Sequence, residues 1–300
     1  MSANSHHSFE VVVIGGSYAG LSAATQLARA RRRVLVIDAG LRRNRFATAS
    51  HGFLGQDGRS PDAIVAEGKR QLLVYPCVQW LDDEATQAER IPDGFIVRLR
   101  SGEVVQARLI VLATGVVDDF PDISGLAERW GRHVFHCPYC HGYELNQGRL
   151  GVLGVGHLSI HQSIMLSDWG AVTLFTNRVI ELEDAQLKDL TERGIAIESQ
   201  PVAGIVDAAT IQLTDGRNIV TDGIFIVTQT RVSSPIAEQL GCKFEQGPTG
   251  TYIYTDEFKA TSVKGVFACG DAARMAGTVA FAVGDGAQAG IAAHRALLFG

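Results

Sequence analysis

The run Val11-Val12-Val13-Ile14-Gly15-Gly16-Ser17-Tyr18-Ala19-Gly20 limits the folds open to this chain more than any other stretch. Four consecutive β-branched residues suit a strand buried on both faces. The glycines then permit a tight turn, small and apolar residues recur at helical spacing through Ala30, and Arg33 to Asp38 reads as a second buried strand. Strand, turn, helix and strand make a βαβ unit, so an α/β fold is expected.

The turn also carries chemistry. Gly15 and Gly20 take the first and last glycine positions of the dinucleotide fingerprint, and Asp38 ends the next strand, where an acid accepts from adenosine ribose hydroxyls. The helix opening at Tyr18 and Ala19 would face its N-terminus to a pyrophosphate. The middle glycine is replaced by Ser17, whose Cβ restricts backbone approach while its hydroxyl can donate to a phosphate oxygen. The pattern returns at Leu150, where LGVLGVG, HLSIHQSIMLSDW and AVTLFTN repeat strand, helix and strand. Two Rossmann-like domains in 300 residues agree with the usual span of roughly 100 to 200 residues per domain. Between the repeats, residues 95 to 115 read as a hairpin leading into a buried strand that ends at Ala113-Thr114-Gly115. GIFIVTQT and GVFACGDAA are later buried strands, DGAQAGIAAHRALL is an Ala-rich closing helix, and the segments near Pro121 and Pro235 read as crossings between domains.

Composition excludes several classes. A net charge of −5 argues against a nucleic-acid partner, and no run of 18 apolar residues offers a membrane span. Arg29, Arg31, Arg32 and Arg33 close the first helical pattern and read as a solvated face at its carbonyl end. The start, MSANSHHS, has no apolar signal core, and His6 and His7 read as a frayed tail. Five cysteines without a secretion signal point to a reducing compartment, hence the cytoplasm, and Cys77, Cys242 and Cys269 read as small core residues.

The remaining two stand in His136-Cys137-Pro138-Tyr139-Cys140-His141. Two intervening residues let Cys137 and Cys140 close a small disulfide ring, stiffened by Pro138. A neighbouring imidazole can carry a thiol's proton, and an ordinary histidine pKa near 6.5 suits His141 to that task. Zinc would need a second ligand pair that the sequence lacks, so no metal is expected. A glutaredoxin would place such a motif after the first strand of a small domain; here the next strand opens a dinucleotide-type turn.

In order and context these pieces, VVVIGGSYAG with Asp38, LATG at residues 112 to 115, CPYC, and GVFACGDAA, resemble the low-molecular-weight thioredoxin reductases, over nearly the whole chain. The resemblance implies two three-layer ββα nucleotide-binding domains: a discontinuous FAD domain, residues 1–116 plus 241–300, and an NAD(P)H-like domain, 117–240, carrying the dithiol. It implies FAD contacts from the fingerprint turn, from Asp38, Ala39 and Gly40, from Ala113, Thr114 and Gly115, from Gly270, from Asp271 at the ribityl chain, and from Thr278 and Val279, with the helix after Gly284 near the pyrimidine edge of the flavin ring. Arg43 and Arg45 follow Asp38 where the family wraps the pyrophosphate; a plain surface role stays open for both. By the same resemblance Cys140 partners the flavin, Cys137 exchanges with substrate sulfur, and His141 carries the proton, standing where thioredoxin reductases usually have aspartate. His136 either assists or covers the disulfide. A homodimer with a swinging second domain is also implied.

Two departures bear on the electron donor. Where thioredoxin reductases grip the NADPH 2′-phosphate, this chain reads Thr176-Asn177-Arg178-Val179 with one arginine, and the family's Gly-bearing loop is Val227-Thr228-Gln229-Thr230. Losing most of an arginine clamp costs several kcal/mol by the usual magnitude of charged hydrogen bonds, so weak NADPH binding is expected. CxxCHG with a degraded NADPH site is similar to the dithiol oxidases of the gliotoxin and holomycin type, which pass electrons from a dithiol through the cysteines to FAD and then dioxygen. HGFLGQDG at residues 51 to 58 is also like that branch, so His51 either approaches the flavin or packs its loop. The leading expectation is an FAD-dependent dithiol oxidase acting on a small-molecule or protein dithiol. NADPH-dependent thioredoxin reductase is the alternative, followed by a reductase fed by another electron protein and by a flavin-bound redox sensor.

Overall fold

The computed structural model describes residues 7–300. The tail containing His6 lies outside the described residues, whereas His7 opens the first strand and pairs in register with Val105. The described residues divide into two compact units: residues 7–45, 61–118 and 230–300 form one, and residues 46–60 and 119–229 the other.

In the first unit, parallel strands Val78–Leu81, Val34–Ile37, His7–Ile14 and Val104–Leu112 lie side by side. The far edge of the last is shared, its first half pairing with the hairpin strand Gly94–Leu99 and its second half with Val266–Ala268. Strand periodicity decides which face each residue serves. Val11, Val13, Val34, Val36, Leu109 and Val111 pack beneath the fingerprint helix Tyr18–Arg29 and the terminal helix Val279–Phe299. Val12, Ile14, Leu35, Ile37, Ile110 and Leu112 pack on the opposite side with the hairpin and with Ile236 and Ala237. The two helices touch through small residues, and a Cβ at Gly286 would overlap the Ala19 carbonyl. The terminal helix starts earlier than its Ala-rich run suggests, because Thr278 caps it by accepting from the Phe281 N–H at 3.1 Å.

The second unit centres on five parallel strands in the order Ala196–Glu198, Ala171–Phe175, Arg149–Leu153, Gly223–Ile226 and Val134–Phe135. Helix Leu158–Leu166 packs on one face through Ile160 and Leu166, and an antiparallel meander, Val202–Val206 to Asn218–Val220, packs on the other through Ile205, Ile211 and Leu213. Each unit is thus α/β and Rossmann-like, and both βαβ repeats form where their periodicity places them. Among the described residues, no helix is long and apolar enough to cross a membrane.

Three details differ from the sequence reading. Pro235 starts a short helix inside the first unit, where Ser233 bonds back to the Gly115 carbonyl at 3.2 Å, so the return crossing falls at Gln229 rather than near residue 240. Residues 46–60 group with the second unit although they fall before the first crossing in sequence. Within the arginine cluster, Arg31 and Arg33 are exposed, but Arg32 pairs with Glu10 at 3.0 Å.

Candidate active site

The fingerprint turn is built by backbone contacts that only glycine permits. Gly15 has φ +103°, and a Cβ there would stand 2.7 Å from the Ala113 carbonyl carbon. Its N–H donates to the Ile37 carbonyl at 2.8 Å, and Gly16 N–H donates to Asp38 Oδ1 at 3.0 Å, so Asp38 braces the turn from the neighbouring strand. Ser17 sits at the N-cap of the fingerprint helix, yet its hydroxyl caps nothing and is buried without a partner. Thr114 Oγ1, Arg42 Nε and Asn44 Oδ1 share that condition. All four lie on loops leaving the carboxyl ends of adjacent parallel strands, the place where open α/β sheets bind ligands. Unpartnered buried polar groups cost about 1–3 kcal/mol each, so their concentration here marks a polar ligand site.

Neither Arg42 nor Asn44 is assigned a role by the sequence. Asn44 Nδ2 donates to the Tyr18 hydroxyl at 3.0 Å, and Arg42 pairs with Asp62. Arg43, which the resemblance puts near the pyrophosphate with a surface role left open, lies between carboxylates. Its Nε and Nη2 donate to Asp118 at 2.8 and 2.6 Å, and Nη1 donates to Asp271 Oδ2 at 3.0 Å. Burial disfavours its charge, but the two carboxylates outweigh burial and raise the guanidinium pKa further. Arg45 is exposed and donates to the Arg42 carbonyl at 2.8 Å. Ala39 and Gly40 lie exposed after Asp38, Gly115 follows Thr114, and Gly270–Ala273 form a short 3-10 turn presenting Asp271 ahead of Thr278 and Val279. Every cofactor candidate except His51 therefore belongs to the first unit.

The dithiol belongs to the second unit. Cys137 and Cys140 form a disulfide, Cα to Cα 5.4 Å, across the turn of the short helix Pro138–His141. Tyr139 is exposed and stands edge-on to Trp169, ring centroids 5.2 Å apart. The His136 ring stacks on Trp130 at 5.8 Å, and its carbonyl accepts from Gln162 Nε2 at 2.9 Å. The His141 ring stacks on Phe135 at 4.3 Å. Burial, with the nearby His51 adding to it, pushes the His141 pKa down to about 4, so the ordinary basicity assumed from sequence does not hold. His51 stands with the dithiol segment, its Nδ1 3.4 Å from Glu144 Oε1 and 3.7 Å from Asp57 Oδ2. Asp57 also accepts from the Gly52 N–H at 2.8 Å and so shapes the loop.

The second nucleotide-type turn, Gly154 to Ser159, is satisfied from within. Ser159 Oγ accepts from the Val155 N–H and donates to the Leu153 carbonyl, both at 3.2 Å. Asn177 Oδ1 accepts from the Val202 N–H at 2.9 Å, Arg178 is exposed, and Thr228 is buried.

The family described as pyridine nucleotide-disulphide oxidoreductase matches residues 9–289. This chain belongs to that family. Thioredoxin reductase sirT of Leptosphaeria maculans is 31% identical over 307 residues, which cover 94% of this chain and 92% of the relative. An oxidoreductase from Agrobacterium tumefaciens of known crystal structure is 51% identical, with TM-score 0.95 over 97% of this chain and 99% of that one. HlmI, also known by crystal structure, is 34% identical with TM-score 0.91 over 99% and 94%. As a thioredoxin reductase-like member of the pyridine nucleotide-disulphide oxidoreductase family the chain is an oxidoreductase, and membership implies FAD. The first unit fits that group: the Ser17 and Thr114 hydroxyls are buried without partners, and the Asp38 and Asp271 carboxylates stand on the loops leaving the same sheet.

Proposed function

We propose that this protein is an FAD-dependent dithiol oxidase, and the observation that carries the reading is a Cys137–Cys140 disulfide in the same unit as a nucleotide-type turn that carries Ser159 in place of its third glycine. The disulfide gives the second unit an acceptor for substrate electrons. In that turn the Val155 N–H is satisfied by Ser159 Oγ, a side chain standing where the dinucleotide fingerprint has its third glycine. Together with a single, exposed arginine after the next strand, this favours a thiol as electron source over NADPH.

FAD, when bound, would supply a two-electron acceptor for the reduced cysteine pair, with dioxygen as the final oxidant. The first unit would hold it, with Asp38, the Ser17 and Thr114 hydroxyls, Arg42 and Asp271 as the polar groups available to it. The protein's own chemistry balances as follows. A substrate thiolate attacks Cys137 Sγ, the Cys137–Cys140 bond breaks, and Cys140 leaves as thiolate. The second substrate thiolate attacks the substrate sulfur of the mixed disulfide, and Cys137 leaves. The substrate has lost two electrons and two protons, and the cysteine pair holds the electrons. His141, neutral at pH 7 with its pKa near 4, has a lone pair ready for each proton, and a thiolate formed beside it favours the imidazolium. His51, with Glu144 and Asp57, offers the next group toward solvent.

An anaerobic titration followed at the flavin absorbance band tests this. Bleaching by a dithiol and recovery on admitting air are expected, with hydrogen peroxide released. Fast bleaching by micromolar NADPH would instead assign a thioredoxin reductase, and a slow response to every donor would favour a redox sensor.

A further inference from the structure

The Arg43 cluster has a geometry that the cofactor reading does not use. Asp118 ends the first unit's share of the exit strand Val116–Asp119, its side chain only 4% exposed. It takes the Nε/Nη2 edge of Arg43 through two hydrogen bonds, while Asp271 receives one from Nη1. Asp271 Oδ1 lies against Gly277, where a Cβ would overlap it, so the loop leaving Asp271 fixes the other side of the same carboxylate. A guanidinium prefers to meet a carboxylate through a two-bond edge. Two carboxylates compete for Arg43, and Asp118 holds the better edge.

We propose that Asp118 is a positioning residue for FAD: by occupying the two-bond edge of Arg43 it prevents that edge from closing on Asp271 and leaves the Asp271 carboxylate able to accept from the cofactor. This rests on the reading that Asp271 meets FAD. It makes Arg43 a restrained competitor rather than a phosphate ligand. It also joins cofactor binding to the strand by which the chain leaves the first unit.

The two roles of Arg43 separate in a double-variant experiment. Apoprotein is prepared from the purified flavoprotein and titrated with FAD, reading flavin fluorescence. Asp118→Asn weakens the hold on Arg43, lets it turn its fork on Asp271, and is expected to weaken FAD binding about tenfold or more, the worth of one or two charge-assisted hydrogen bonds. Adding Arg43→Met to an Asp118→Leu background removes the buried Arg43–Asp118 pair together, frees the partly exposed Asp271 carboxylate from Arg43, and is expected to restore affinity toward the parent. Unchanged affinity in Asp118→Asn overturns the inference, and so does a double variant that binds FAD more weakly than Asp118→Asn, since Arg43 would then be a direct ligand. Thermal melting of each apoprotein reports folding; should Asp118→Asn fail to fold, the double variant alone decides, parental affinity supporting the inference and weakened affinity overturning it. A parent apoprotein that binds no FAD would overturn the underlying cofactor reading, which is a distinct result.

Discussion

Cys140→Ser is expected to abolish reduction by dithiols, by about 10³-fold or more, while the purified protein stays yellow with bound FAD. The magnitude is that of removing a covalent catalytic group, which a hydroxyl of ordinary acidity does not replace. The residues fitted to FAD lie in the first unit, and Cys140 lies in the second, so the substitution removes chemistry without touching the crevice loops. The remaining Cys137 can still meet a substrate thiol, and with an oxidised substrate it should trap a mixed disulfide that mass spectrometry of the denatured protein detects. Cys137→Ser should trap less, because Cys137 is assigned the exchange with substrate. Stopped-flow reduction of either variant at the parental rate would remove the pair from the mechanism.

The parts of this protein that its sequence disclosed are those governed by local periodicity. Val11 to Ile14 can only be a buried strand, its alternate residues serve opposite faces of the sheet, and Gly15 follows because the Ala113 carbonyl leaves no space for a Cβ. Leu150 to Phe175 repeats the same logic. The dithiol was legible because two cysteines at that spacing have few other uses.

What stayed hidden depends on which groups meet across the fold. Arg42, Arg43 and Arg45 look alike along the chain, yet Arg42 pairs with Asp62, Arg43 is captured by Asp118 and Asp271, and Arg45 faces solvent. The two acids that capture Arg43 are far away in sequence, so no local pattern announces them. Residues 46–60 sit between stretches of the first unit in sequence and nevertheless group with the second. Pro235 has the composition of a linker, but Ile236 and Ala237 behind it are buried in the first unit's core. The self-satisfied turn at Ser159 also escaped the motif, since the glycine pattern specifies the bend and not which hydroxyl bonds its N–H.

His141 shows how burial changes a role read from residue type, and its stability signature follows from the sign of the shift. In the folded protein this imidazole takes a proton only near pH 4, against about 6.5 for an unfolded histidine. Between those values the unfolded chain binds more protons than the folded one, so stability contributed here is present at neutral pH and is lost as pH falls through that window. The shift amounts to about 3 kcal/mol between pH 7 and pH 4 by the usual conversion. His141→Asn carries no such group, and urea unfolding of the second unit, followed by the fluorescence of Trp130 and Trp169, should lose less stability over that range than the parent does. Burial is the larger cause and His51 the smaller, so His51→Gln should recover only a minor part of the difference. Parallel pH dependences in the parent and His141→Asn would mean that the ring is not held neutral against Phe135, and the assignment of His141 as a proton acceptor at pH 7 would then have to rest on an ordinary, solvent-exposed imidazole.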